Sequence, residues 1–267
     1  MPIAQVNGRR VAYEDTGGGG PAVIFSHGLL MDREMFAPQL EALRGEFRCI
    51  AWDARGHGDS DEATEPFTYW DSAEDMFALA AHLGVERAFL VGMSQGGFLS
   101  LRAALRRPDF LLGLGLIDTQ AGVEDPEMAD NDRAMGHVWK EHGLNDDLAE
   151  IIAAMIMSPG YPGNADWIAK WKRRPTEHID MPLTPLLNRE DLHDRLGEIA
   201  APAIVVHGEV DAAISVELAQ RLVDGLPNCE RLVLVPGAGH ASNLSHPEPV
   251  NAALGDFLRR HSGVAAQ

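Results

Sequence analysis

Cysteine is almost missing from this 267-residue chain: Cys49 and Cys229 stand far apart, and neither has a second thiol nearby in sequence. A disulfide framework and a zinc ribbon are thereby excluded, and two reduced thiols are expected. Basic residues are also scarce, with 22 Lys and Arg against 40 Asp and Glu and a formal net charge of −18. A field of that sign repels phosphate backbones and anionic membrane surfaces, so neither nucleic acid nor a membrane is an expected partner. The longest purely apolar run, residues 151–157, is too short to span a bilayer, and the segment from Met1 to Arg10 holds no apolar stretch of the secretory kind. A soluble, cytoplasmic protein is expected. Internal repeats and low-complexity tracts are absent as well.

Hydrophobic residues at 45% and charged residues at 23% are the balance of a chain that buries a core. Asn7-Gly8, between two short β-prone runs, supplies the positive φ angles of a two-residue hairpin turn, so two antiparallel strands should open the chain. Strand Ala22-Val23-Ile24-Phe25-Ser26, a helix over 32–43 and strand Phe47-Arg48-Cys49-Ile50-Ala51-Trp52 follow. A helix over 69–83, strand Ala88-Phe89-Leu90-Val91-Gly92, a helix over 96–106 and a strand over 111–117 continue the alternation. Strands that are apolar throughout belong in a sheet covered on both faces. Between 118 and 200 the strand signal stops, and helical patterns take over at 126–142, 145–157, 164–173 and 185–196. The rhythm returns with Ala203-Ile204-Val205-Val206-His207, a helix over 216–226, strand Arg231-Leu232-Val233-Leu234-Val235 and a last helix over 247–260. The expected architecture is a mostly parallel α/β sheet flanked by helices, with residues 1–119 and 201–267 as its core and 120–200 as an all-helical insertion. The four glycines at 17–20 lack a following Gly-Lys-Ser/Thr and lead into a strand, which makes them a surface loop rather than a phosphate cradle.

The segment with chemical content is Leu90-Val91-Gly92-Met93-Ser94-Gln95-Gly96-Gly97. As a bare pentapeptide Gly-x-Ser-x-Gly arises by chance, but here a buried strand runs into it and a helix leaves it. A serine on so tight a turn projects at the carboxyl end of the sheet, above a helix N-terminus whose free N–H groups favour developing negative charge. A serine hydroxyl is a weak nucleophile at neutral pH, so a histidine base and an orienting carboxylate must lie further along the chain. Of eleven histidines, His240 alone sits in a glycine-flexed loop, Pro236-Gly237-Ala238-Gly239-His240, directly after the last core strand. His137, His142, His178 and His193 fall in the helical stretch, where a solvated surface role is the default, and His57 precedes the serine. Asp211 follows a strand in His207-Gly208-Glu209-Val210-Asp211 and is the leading acid. Asp118, just past Ile117, competes for that role, while Glu209 reads as a loop carboxylate. The backbone N–H groups of Leu29, in Ser26-His27-Gly28-Leu29-Leu30, and of Gln95 would bracket an oxyanion, with His27 steadying its loop by hydrogen bonding.

Ser26-His27-Gly28-Leu29, Asp53-x-Arg55-Gly56-x-Gly58-x-Ser60, Gly92-Met93-Ser94-Gln95-Gly96-Gly97, Gly208-Glu209-x-Asp211 and Gly239-His240 occur in that order and span essentially the whole chain. In this the sequence resembles the α/β-hydrolase superfamily, specifically its small helical-capped serine esterase and lactonase-like members. The resemblance implies an eight-stranded, mostly parallel sheet with a cap inserted after the sixth strand. Members often carry an acidic residue five positions after the catalytic histidine, where this chain has Ser245. Serine rather than aspartate at position 94 separates the chain from the dehalogenase and epoxide hydrolase branches.

The expected activity is hydrolysis of carboxylic esters or lactones of small, largely apolar substrates through an acyl-enzyme on Ser94, with His240 as base and Asp211 as its orienter. That chemistry requires no metal and no organic cofactor. Carbon–carbon bond hydrolysis and cofactor-free perhydrolysis or acyl transfer use the same three residues, and a ligand-binding receptor could keep the fold without the chemistry. In the helical stretch Trp139, Met155, Met157, Trp167 and Trp171 offer apolar surface, most of it expected to pack within that stretch itself.

Overall fold

The computed structural model describes residues 1–263. Asn7 and Gly8 take positive φ angles of 49° and 75° and join β1 (Ile3–Val6) to β2 (Arg9–Asp15) as an antiparallel hairpin. The alternation then runs β3 (Ala22–Ser26), α1 (Ala37–Leu43), β4 (Arg48–Trp52), α2 (Tyr69–His82), β5 (Ala88–Met93), α3 (Gln95–Arg106) and β6 (Leu111–Ile117). Four helices follow with no strand among them: α4 (Pro126–His142), α5 (Asp146–Ile156), α6 (Asn164–Lys172) and α7 (Leu183–Leu187). The last part is β7 (Ala203–Gly208), α8 (Val216–Gly225), β8 (Cys229–Val235), the short α9 (Ser242–Ser245) and α10 (Pro247–Ser262).

The strands form one eight-stranded sheet in the order β1-β2-β4-β3-β5-β6-β7-β8, parallel from β4 to β8. Strand β5 is buried along its whole length, and its side chains alternate between two apolar layers. Leu90 joins Trp52, Phe98 and Leu116 on one face, while Phe89 and Val91 join Phe25, Phe36 and Phe257 on the other. Burial on both faces is what a continuous apolar run requires, because each face must find its own covering helices.

Registry lines up the strand ends. Ser26 pairs with both Trp52 and Gly92, Gly92 with Leu116, and Ile117 with Val206, so β3 to β7 finish along one edge. The chain winds outward from β3 to β4 and then crosses back to β5 on the other side, and ligands in open α/β sheets bind where the winding reverses.

Two helices differ from expectation. The stretch 32–43 begins as a 3-10 turn (Arg33–Phe36) and becomes α-helical only at α1, where Pro38 stands among the first residues, the position at which its missing N–H does no harm. The stretch 185–196 is broken: α7 stops at Leu187, and a 3-10 turn covers His193–Glu198. The chain leaves the helix where Arg189 turns inward, donating from Nε to the Gly122 carbonyl (2.8 Å) and from Nη1 to that of Leu186 (2.7 Å). No helix among the described residues is long and apolar enough to cross a membrane.

Candidate active site

Ser94 occupies the turn between β5 and α3 with φ 50° and ψ −114°, a conformation that costs a residue with a Cβ about 1–3 kcal/mol. The turn is locked from several sides. Its N–H donates to the Ile117 carbonyl (2.9 Å), and its carbonyl accepts from Thr119 Oγ1 (2.8 Å) and Gly97 N–H (2.8 Å). A Cβ on Gly92 would lie 2.1 Å from the Gly96 carbonyl oxygen, and one on Gly96 only 1.8 Å from that of Ser26. Both glycines are therefore dictated by close backbone approach, which the Gly-x-Ser-x-Gly pattern expresses in sequence.

His240 follows β8 and reaches back to Asp211 beyond β7, its Nδ1 lying 2.8 Å from Asp211 Oδ2. The other Asp211 oxygen accepts the N–H groups of Ala213 (2.8 Å) and Ile214 (2.9 Å), which fixes the carboxylate plane. Burial works against the charge on His240, but the charge and hydrogen bond of Asp211, with Asp118 behind, hold its pKa above the ordinary histidine value. Burial likewise opposes ionisation of Asp211, and the surrounding donors, His240 first, keep it below the usual carboxylate range.

Asp118 accepts no hydrogen bond from His240. Its Oδ1 accepts Gly208 N–H (2.8 Å), and its Oδ2 accepts both N–H (2.9 Å) and Oγ–H (2.7 Å) of Ser242. The competitor from the sequence is thus a staple between the end of β7 and the segment that follows His240. His207 lies between the two acids, with Nε2 2.9 Å from the Ile214 carbonyl and 3.4 Å from Asp211 Oδ2. Asp118, His207 and Asp211 are close enough together to present three ligands to a cation. Both Asp118 oxygens and both Asp211 oxygens already accept hydrogen bonds from the protein, and these would have to be given up.

Five positions past His240, Ser245 shares a 2.5 Å hydrogen bond with Ser158 Oγ, which in turn accepts Gly239 N–H at 2.7 Å. Ser158 lies just past α5, so the helical segment reaches across and holds the histidine loop. Nothing local in the sequence marks Ser158 for that task.

His27 accepts Ala54 N–H at Nε2 (2.9 Å) and has Nδ1 2.8 Å from the Gly28 carbonyl, so its ring steadies the loop after β3. The neighbouring His57 is driven well below the ordinary histidine range by burial and by the nearby His27 and Arg174. Asp53 closes the Asp53–Ser60 loop by accepting from Arg33 N–H (2.7 Å), the Arg33 guanidinium and Asp59 N–H (2.9 Å). The sequence motif around Gly56 and Gly58 is therefore a structural clasp beneath the site.

Ser94, His240 and Leu29 face one cavity of about 110 Å³. Gln95 lies behind this wall, its side chain turned toward His57, but as the first residue of α3 its N–H has no acceptor among the described residues, and neither has that of Leu29. The rest of the wall is mostly apolar: Met31, Met93, Phe98, Met128, Met135 and Ile179 among others. Trp139 and Met155 line it, whereas Met157, Trp167 and Trp171 pack within the apolar core. Met128 and Met135 were not singled out in sequence, since a methionine on a helix stripe looks the same whether it meets core or cavity.

The alpha/beta hydrolase fold model matches residues 21–247. A Caulobacter sp. (strain K31) protein named for carbamate hydrolysis, RutD, is 32% identical, the match covering 93% of this chain and 95% of that one. Among solved structures, a thermophilic esterase from Thermogutta terrifontis superimposes with a TM-score of 0.89 at 28% identity, covering 98% of each chain. The enol-lactonase from Burkholderia xenovorans LB400 gives 0.88 at 26% identity, covering 96% of this chain and 99% of that one.

Proposed function

The chain belongs to the α/β-hydrolase fold family, and from that premise we propose that it is a serine hydrolase cleaving carboxylic esters or lactones of small, largely apolar substrates. The observation that carries this reading is the 2.8 Å contact of His240 Nδ1 with Asp211 Oδ2 beside a serine held at positive φ, with Ser94 and His240 opening on one apolar cavity. In this reading Nδ1–H donates to Asp211, leaving Nε2 bare to take the Ser94 proton as the hydroxyl attacks the acyl carbonyl. The oxyanion is received by the Leu29 and Gln95 N–H groups, the latter reinforced by the positive end of the α3 dipole. His240 then protonates the departing alcohol and deprotonates the water that frees the acid. Residues 120–200 act as the cap over a core formed by 1–119 and 201–267, and no metal or organic cofactor takes part.

The likeness to an esterase and to an enol-lactonase supports the substrate class, as does a wall poor in charge. A fluorophosphonate should label Ser94 one to one, and a panel of p-nitrophenyl esters of graded chain length beside simple lactones should be turned over with a preference for short acyl chains. Absence of both labelling and turnover would overturn the reading.

A further inference from the structure

Helix α4 presents one stripe to the cavity, Met128, Asp132, Met135, Gly136 and Trp139, at the i, i+4, i+7, i+8, i+11 spacing of a single helix face. In a stripe that is otherwise methionine, glycine and tryptophan, Asp132 is out of place. Among the described residues the only other carboxylate on the wall is Glu124, and no Lys or Arg lines the cavity. Glu124 has a partner, its Oε2 accepting from Arg189 Nη1 at 2.9 Å, and the Arg189 side chain, which does not line the cavity, is 1% exposed. Asp132 has no hydrogen-bond or ion-pair partner among the described residues. The Arg189 guanidinium bonds through Nη1 to Glu124 and the Leu186 carbonyl and through Nε to that of Gly122, while its buried Nη2 has no hydrogen-bond partner and none of its nitrogens pairs with Asp132. A half-buried carboxylate on an apolar wall loses hydration, and what restores the balance is a cation supplied by the ligand.

We propose that the substrate carries a cationic group, an ammonium or quaternary ammonium, on the part remote from the scissile carbonyl, and that Asp132 receives it. The proposal rests on the serine hydrolase reading and narrows its substrate class. Trp139, two turns further along the same stripe, adds the aromatic ring on which alkylammonium groups bind well. The same wall disfavours a substrate carboxylate, since it has no cationic side chain to pair with one and a net negative charge to repel it. Burial and the charge of Glu124 push Asp132 up to about 6, so it is ionised in an assay at pH 8.

The test uses three p-nitrophenyl esters of nearly equal shape, with acyl groups 4-(trimethylammonio)butanoate, its carbon isostere 5,5-dimethylhexanoate, and monoglutarate. Intrinsic reactivity differs among them, so the reading is the change in their kcat/KM ratios between wild type and Asp132→Asn. The cation-to-isostere ratio should fall about tenfold or more in the variant, and the glutarate-to-isostere ratio should rise. Asp132→Lys should favour the glutarate ester, and Asp132→Ser repeats the neutralising experiment should the Asn variant fold poorly. Ratios that change less than twofold, or a glutarate-to-isostere ratio that falls in Asp132→Asn, would overturn the proposal. Were no ester turned over and Ser94 unlabelled, the hydrolase reading would fall separately. Calorimetric binding of the carboxamides of the same acids would then decide the cation preference, tighter binding of the ammonium amide by wild type than by Asp132→Asn supporting it and equal binding refuting it.

Discussion

On the sheet side of the cavity, Asp211, Asp118, Asp53 and His27 are each held by two or more hydrogen bonds, at least one of which ties one strand-end loop to another. On the helical side Met128, Met135, Met155 and Leu183 meet the cavity through apolar contact, and Asp132 meets it with no hydrogen-bond or ion-pair partner among the described residues. A site built of directional bonds tolerates little change in any member, because a removed partner leaves a buried donor or acceptor unmet. A wall built of flexible methionines yields to changes of ligand shape at small cost. The first kind of surface suits a reaction that needs fixed geometry, and the second suits the choice of what enters.

The largest expected effect breaks the sheet side at its centre. Ser94→Ala should lose at least about a thousand-fold in kcat/KM and all fluorophosphonate labelling while remaining folded. Ester hydrolysis within tenfold of wild type, with contaminating esterases excluded, would remove Ser94 as nucleophile. Next comes the pair of acids. Asp211→Asn should cost roughly 10³- to 10⁴-fold, because the amide favours the wrong imidazole tautomer. Asp118→Asn should keep rates within about tenfold but lose stability, since an amide NH₂ would face an N–H donor, of Gly208 or Ser242, at a cost of about 1–3 kcal/mol. Kinetics beside thermal melts separate the two, and a reversed pattern would move the acid to Asp118.

The pH profile sharpens the same contrast. His240 must be neutral to act as base, and its pKa is held above the 6.5 of an ordinary histidine, so kcat/KM should be lost as pH falls through a value above 6.5. Burial and the charge of Asp211 push Asp118 up to about 7, so it carries only part of its charge where His240 titrates, and Asp118→Asn should move the acidic limb to lower pH by a small amount. A limb unmoved, or lying well below 6.5, would contradict this electrostatic account. Ser158→Ala, which strips Gly239 N–H of its acceptor, should reduce kcat by about tenfold with little change in KM, following a loop loosened by about 1–3 kcal/mol. The smallest effect belongs to the helical side: Met155→Leu conserves volume and should change KM for apolar esters less than about threefold.

How much of this was legible in the chain differs between the same two sides. Runs apolar throughout announced the buried strands, and glycines at 92 and 96 announced the turn at Ser94, because both follow from constraints acting within a few residues. His240 and Asp211 could be singled out by their position after strands, since a parallel sheet brings every strand's carboxyl end to one edge. Whether Asp118 or Asp211 meets His240 was open in sequence, as both satisfy that rule. Only the path of each loop decided it, sending the Asp118 carboxylate to Gly208 and Ser242 and that of Asp211 to His240. Ser158, Glu124 and Asp132 could not have been found at all without the packed helices. Their roles come from neighbours distant in sequence, brought close when α4 and α5 settle over the sheet edge, and helical periodicity marks a buried stripe without saying whether it faces protein or open space. The sequence by itself determined the sheet, the tight turn at Ser94 and the candidates Ser94, Asp211 and His240, because these obey local sterics and strand periodicity. Tertiary structure alone decided the pairing of the acids and the character of the cavity wall, because both depend on distances between segments that no local rule fixes.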